Sequence, residues 1–243
     1  MFRLDRVELR YGASMVLRGI SAEIPTAGVV VVMWPSGAGK STLMRVLCFL
    51  EVPTSGFLQL SLGGRTYDSR ETARPWPNLT CVFQKQFLWP HLTLLQNLHL
   101  PLMKLERSEA QNRVASVIEL FGMGEFVGRF PNEVSGGQAQ RAALARAFVL
   151  HPKLVIIDEA HTGLDLEQQA TINDHLQALA SSGVGIIVVT HSLAFAQQHA
   201  DHIVVLEGGL VAELGPRSIL NSPSSKYLVR AVQRAGHYQP FQA

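Results

Sequence analysis

Cysteine is scarce in this chain, with only Cys48 and Cys81 among 243 residues. Two cysteines cannot build a disulfide framework, and both stand inside apolar stretches, which predicts core packing and suits a reducing compartment. Long hydrophobic runs are missing too. Nowhere do ~18 consecutive apolar residues occur, and the opening MFRLDRVELR lacks an apolar segment of signal-peptide length. We therefore expect neither a membrane span nor a leader, and any membrane contact to run through a partner. A charge surplus is also absent: 21 Lys and Arg against 19 Asp and Glu leave +2, and no run of like charges marks a basic tail. Nothing here demands nucleic acid, so any binding to phosphate must be local. Neither an internal repeat nor a low-complexity linker is visible. What the chain has in quantity is apolar sequence, 47% against 16% charged, enough to bury the core of one large domain or two small ones.

The apolar residues fall into alternating patterns. Phe2 and Leu4, then Val7 and Leu9, give strand-like alternation, and GVVVVM at 28 to 33 is a short apolar β-branched run that reads as a buried strand. Leu43, Val46, Leu47 and Leu50 recur at helical spacing directly afterwards. FLQLSL (57 to 62) and LTCVF (79 to 83) read as further strands, and from about 91 to 150 the texture becomes leucine-rich and helical. There Ser108 and Gln111 form an expected capping box, with Gly122 as a stop. Strand and helix patterns then alternate again through LVII, Ile172 to Leu179, GIIVV, a short helix and HIVVL, with Gly208-Gly209 as a hairpin turn. Such alternation predicts a mainly parallel sheet covered on both faces.

Several pieces carry chemistry. MWPSGAGKSTLM, at 33 to 44, lies where a strand turns into a helix. Gly37, Ala38, Gly39, Lys40 and Ser41 there suit a phosphate cradle of converging backbone N–H groups at a helix N-terminus, with Lys40 neutralising the outer phosphates and Ser41 offering a hydroxyl to Mg2+. Trp34, however, occupies the place of the motif's first glycine. LVIIDE ends an apolar strand in Asp158 and Glu159, at the edge of the sheet where open α/β folds bind ligands. One acid can serve the metal's shell, and the other, pointing the opposite way along the strand, can position or deprotonate an attacking water. Gln84 closes LTCVF and His191 closes GIIVVT in the same manner. VSGGQ makes Ser135 the N-cap of a helix carrying Arg141, Leu144, Arg146 and Phe148. Composition leaves open whether this is a second anion site or a plain cap.

In this order, these five elements resemble the ATP-binding subunit of ABC transporters over roughly residues 1 to 230, and SGGQ joined to QRAALARA and DEAHTGLD is the most specific part. The resemblance implies a P-loop ATPase core of α/β class with a mainly parallel sheet, an N-terminal antiparallel β part, a helical subdomain at about 91 to 150, and a tail from 231 to 243. It also implies roles. Tyr11 stacks on adenine. Ser36 through Thr42 hold phosphates and Mg2+. Gln84 senses the metal and the attacking water as a catalytic residue, and Asp158 supports the metal. Glu159 is the catalytic base and His191 contacts the terminal phosphate. Ser135, Gly137 and Gln138 serve the opposite subunit, and Asp165 lies at the dimer seam. Two ATP molecules would be sandwiched between two head-to-tail copies, with transmembrane permease subunits as partners, an extracytoplasmic substrate-binding protein as an indirect one, and no nucleic acid. The chain would work peripherally at the cytoplasmic face of the membrane.

WPHLTLLQNLHLPLMKL (89 to 105) and GRFPNEVSGGQAQRAALARAF (128 to 148) look most like polar amino-acid importers, a group in which no extra carboxyl-terminal domain is expected after the core. Phe87, Leu88 and Trp89 either receive a helix of the membrane subunit or belong to the core. The chain departs from the pattern at Trp34, Ala160, His161 and, conservatively, Val134. A changed turn at Ala160 and His161 would misplace the base. If Trp34 has a positive φ, its side chain costs about 1 to 2 kcal/mol, so reduced or altered ATP binding is expected rather than its loss. Two other functions fit less of the sequence: a nucleotide-responsive dimerising scaffold with weak hydrolysis, and a soluble ABC ATPase acting on DNA or ribosomes.

Overall fold

The structure, a computed structural model, describes residues 1–35, 39–159 and 164–236. The expectations placed on Ser36, Gly37, Ala38, Ala160 and His161 therefore lie outside the described residues. In chain order the elements are β1 (Phe2–Tyr11), β2 (Ser14–Ile24), β3 (Val29–Met33), α1 (Lys40–Leu47), β4 (Ser55–Leu62), β5 (Arg65–Asp68), β6 (Leu79–Val82), α2 (Leu94–His99) and α3 (Arg107–Leu120). There follow α4 (Gly136–Phe148), β7 (Leu154–Asp158), α5 (Leu166–Ser181), β8 (Gly185–Val189), α6 (Leu193–His199), β9 (His202–Glu207), β10 (Leu210–Pro216) and α7 (Lys226–Gly236). The chain divides into two compact units, one of Met1–Arg74 with Ile187–Ala243 and the other of Pro75–Ile186.

The first unit holds the expected N-terminal antiparallel sheet, in the order β2-β1-β4-β5, and the strands β10-β9-β3-β8 of the second sheet. β3 runs parallel to β9, and β10 returns antiparallel beside β9. All five residues of β3 are buried, as are those of β8, which is why both are continuous apolar runs without alternation. β1 does alternate, but its buried parity switches from Phe2 and Leu4 to Val7 and Leu9. The cause is a register shift between Asp5 and Glu8 against β4, where Arg6 takes φ 47°. Gly56 faces this bulge at φ +73°, and a Cβ there would collide with the carbonyl oxygens of Asp5 and Arg6. Gly56→Ala should therefore lower stability by more than the about 1 to 2 kcal/mol of a left-handed side chain alone, read as the midpoint of urea unfolding.

At the end of β5 the Asp68 carboxylate accepts from Arg70 Nη2 at 2.6 Å and Nε at 2.8 Å, and from Gln59 Nε2 at 2.9 Å. The Arg70 guanidinium holds this carboxyl well below the usual carboxylate range, against the opposing effect of burial. A depressed folded pKa contributes stability that is complete above the unfolded value, about 4, and is lost as pH falls from there through the folded value. Asp68→Asn should lower the melting temperature at pH 7 and make it fall less steeply between about pH 4 and pH 2.

The second unit holds β8-β7-β6, of which β6 and β7 are parallel, together with α2 to α5. β8 begins in this unit, where Gly185 donates to the Lys153 carbonyl, and ends in the first, where Thr190 donates to that of Val32. Four sequence expectations need correction, and two strands were not foreseen. α3 starts at Arg107 with Glu106 as N-cap and no side-chain cap, because the Glu106 carbonyl already accepts from Ala110 at 2.9 Å. Ser108 and Gln111 are thus inside the helix and form no capping box. Leu50 lies past the end of α1 and is 60% exposed. Cys81 is only half-buried, whereas Cys48 is buried. The pairs β1–β2 and β4–β5 close through Ser14–Ile24 and Arg65–Asp68, strands whose mixed composition gave no clear alternation. Finally, α7 runs past residue 230 into the stretch read as tail.

Candidate functional site

Each unit carries part of the chemistry. In the first, the buried strand β3 delivers the chain at Met33, and α1 opens at Lys40. Gly39 is the residue before the helix, with φ 90°, and a Cβ on it would stand 3.0 Å from Val16 Cγ1 and 3.4 Å from Leu17 Cδ2 on β2. Only glycine fits both the conformation and the space. The Gly39 carbonyl accepts from Leu43 at 2.9 Å, and the first turn of α1 has no acidic residue. The helix N-terminus is thus left positive, as an anion requires. Lys40 is half-buried, Ser41 exposed and Thr42 buried.

Trp34 does not behave as its position suggested. The described non-glycine residues with positive φ are Arg6, Phe49, Phe87, His151 and Glu159, so Trp34 has no left-handed backbone and no penalty of that kind. Its side chain is buried at 8% exposure, and Lys40 Nζ lies over its ring, 4.9 Å from the centroid. Tyr11, at the end of β1, is 44% exposed, and its hydroxyl donates to Glu51 Oε2 at 2.6 Å. Burial and that carboxylate raise the Tyr11 pKa. Arg45 of α1 approaches the same Glu51 oxygen at 3.7 Å, which ties Tyr11 to the phosphate-loop helix. His191 follows β8 by two residues and is exposed, just before Ser192 caps α6 by accepting from the Phe195 N–H at 3.2 Å.

In the second unit, β7 ends at Asp158, which is 4% exposed. Glu159 is half-buried and leaves the strand at φ 55°. The expectation that the two acids alternate along one strand does not reach this far: β7 ends at Asp158, and Glu159 has a positive φ that strand backbone does not take. Non-glycine residues in this conformation are uncommon and cluster at functional sites. Ser135 is the N-cap of α4 as expected, its Oγ accepting from the Gln138 N–H at 3.2 Å while Gln138 Oε1 accepts from the Ser135 N–H at 3.0 Å. The Ser135 hydroxyl proton and the Gln138 amide NH2 both remain able to donate. Gly137 is buried within the first turn. Asp165 caps α5 through Oδ1, which accepts from the Gln168 N–H at 2.8 Å.

Gln84 is exposed at the start of a segment held from two sides. Arg146 of α4 donates to the carbonyls of Gln86 at 3.0 Å and Phe87 at 2.9 Å, and Gln140 Oε1 accepts from Gln86 Nε2 at 3.3 Å. Asn97 of α2, fully buried, accepts from the Trp89 N–H at 2.8 Å and donates to the carbonyls of Trp89, Leu92 and Thr93 at 3.2, 3.1 and 3.0 Å. Phe87 and Trp89 are therefore presented outward, at 59% and 50% exposure, with Leu88 half-buried. The open choice between surface and core resolves toward surface for the two aromatics. The sequence reading assigned no role to Asn97 or Gln140. Their only signal was a polar residue at a spacing otherwise apolar, three after Leu94 and four before Leu144.

Comparison with known proteins agrees with this geometry. Residues 17–162 match the ABC transporter family. The arginine transport ATP-binding protein ArtM of Bacillus subtilis is 33% identical over 93% of this chain and 96% of its own length. The histidine transport ATP-binding protein HisP of Pseudomonas aeruginosa is 34% identical over 93% and 95%. Among solved structures, the dimeric post-hydrolysis state of the ATP-binding cassette MJ0796, bound to ADP and Pi, superposes with a TM-score of 0.79 at 28% identity, covering 89% of this chain and 99% of that one. With its phosphate-loop helix, acidic strand end and serine-capped α4, the chain belongs to the ABC transporter family of ATP-binding ATPases and groups there with the amino-acid transport ATP-binding proteins.

Proposed function

We propose that this chain is the ATP-hydrolysing subunit of an importer for polar amino acids. Two copies would work head to tail around two ATP molecules, at the cytoplasmic face of the membrane. They would drive a transmembrane permease that an extracytoplasmic substrate-binding protein supplies. The observation that carries this reading is the end-to-end likeness to transport subunits named for arginine and histidine, over 93% of the chain in each case. On this reading one ABC-type domain spans residues 1 to 230, with a helical subdomain at about 91 to 150.

The residues divide the work by their chemistry. Lys40 and the amides at the start of α1 neutralise the phosphate tail. Bound Mg2+ would supply charge neutralisation at the phosphates, and the donor set suits it, since such an ion needs one or two carboxylates and the phosphates rather than a cage of side chains. Ser41 offers the hydroxyl, Asp158 the buried carboxylate and Gln84 a neutral oxygen. Glu159 accepts the proton of the attacking water. His191 donates to the terminal phosphate. Ser135 and Gln138 of the second copy donate with the protons that their mutual cap leaves over. Tyr11 offers an exposed ring face for the adenine.

Isolation from detergent-solubilised membranes under native expression tests this reading. A multi-span permease should co-purify, and the complex in vesicles should take up a polar amino acid only with ATP. Recovery instead with DNA or ribosomes, in a salt-sensitive manner, would overturn it in favour of a soluble ATPase.

A further inference from the structure

We propose that Trp34 sets the nucleotide affinity of this chain by holding the Lys40 ammonium on its indole face, so that a phosphate must draw the ammonium off the ring. The inference rests on reading residues 34 to 42 as a phosphate loop. Trp34 follows β3 directly and Lys40 opens α1, so the two residues flank the loop on the strand side and the helix side. The Nζ–centroid distance of 4.9 Å is within cation–π range, and the ring is buried at 8% exposure, where such contacts are strongest. The backbone at Trp34 is not left-handed, so the residue acts through its ring rather than through chain geometry.

A phosphate oxygen still wins the ammonium, because charge-assisted hydrogen bonds exceed the attraction of an aromatic face. The net gain is smaller, however, than in a loop whose lysine leaves nothing behind. The effect must follow the phosphates that Lys40 reaches, the β and γ groups, and spare a ligand that has none. Tryptophan at this place therefore raises the nucleotide concentration at which the loop fills, selectively for di- and triphosphates.

Calorimetric titration of the full chain with ATP, ADP and adenosine tests the proposal. Trp34→Leu, which keeps apolar bulk without a π face, should bind ATP and ADP about 3- to 30-fold more tightly, with adenosine unchanged and Trp34→Phe in between. With Lys40→Ala already present, the Trp34 substitutions should no longer change ATP affinity. If Lys40→Ala binds ATP like the parent chain, the phosphate-loop reading itself fails. If Lys40→Ala loses affinity while folded Trp34→Leu and Trp34→Phe match the parent or bind more weakly, that reading stands and the Trp34 proposal is overturned. A Trp34→Leu chain that does not melt cooperatively leaves the decision to Trp34→Phe.

Discussion

Glu159→Gln should lower steady ATP turnover by about 10²- to 10⁴-fold, the usual contribution of a positioned base, while ATP still binds. Glutamine preserves the length and shape of the side chain but cannot accept a proton from water. The structure adds a second arm to this experiment. Glu159 sits at φ 55°, a conformation that costs a non-glycine residue on the order of 1 to 3 kcal/mol and is natural to glycine. Glu159→Gly should therefore be as inactive as Glu159→Gln yet melt at a higher temperature. That pair of results would show backbone strain maintained for the sake of the carboxylate. Turnover that survives either substitution would remove Glu159 from the chemistry. Turnover already negligible in the parent chain would favour the dimerising scaffold with weak hydrolysis.

The second large effect is expected at Asn97. Its side chain makes four hydrogen bonds that pin residues 89 to 93, and it has no exposed surface. Asn97→Leu keeps the branched shape but strands the Trp89 N–H and the Leu92 carbonyl, each costing about 1 to 3 kcal/mol where water cannot reach it, while the Trp89 and Thr93 carbonyls keep their bonds from the Leu92 and Asn97 N–H groups. Water will reach some of them once the segment loosens, so the net destabilisation should be about 2 to 4 kcal/mol in urea unfolding. The functional consequence should be separable from the structural one. Phe87 and Trp89 are the exposed aromatics that the sequence offered as a seat for a helix of the membrane subunit, and Arg146 holds the Gln86 and Phe87 end independently. At a temperature where the variant stays folded, ATP binding should be preserved and recovery with the permease reduced. Equal loss of both would mean that Asn97 serves the whole unit rather than this surface.

What was legible beforehand follows from how far apart the participating residues lie. The strand at 29 to 33 and the helix opening at Lys40 are adjacent in sequence, so periodicity and the glycine-lysine-serine order revealed both. The alternation of Phe2 and Leu4, then Val7 and Leu9, revealed the strand β1 but not its bulge, which needs the partner strand β4 to define it. The capping box at Ser108 failed although its residues were right, because a cap depends on which carbonyl the helix bonds first, and Glu106 came earlier. Asn97 escaped because its partners are backbone groups, whose needs leave little trace in residue identity. The positive φ of Glu159 escaped for a related reason: a strand pattern predicts alternation only up to the residue where the chain leaves the strand.

By itself, the sequence determined the α/β class, the places of the phosphate-loop helix and the acidic strand end, and the serine cap of α4. These are local matters, settled by spacing and by the chemistry of neighbouring side chains. Only the tertiary structure decided that Trp34 keeps an ordinary backbone and meets Lys40 through its ring, that Glu159 is turned into a left-handed conformation, and that Phe87 and Trp89 face outward. Each of those outcomes depends on a backbone angle or a packing environment that residue order does not encode, because the surrounding chain supplies it.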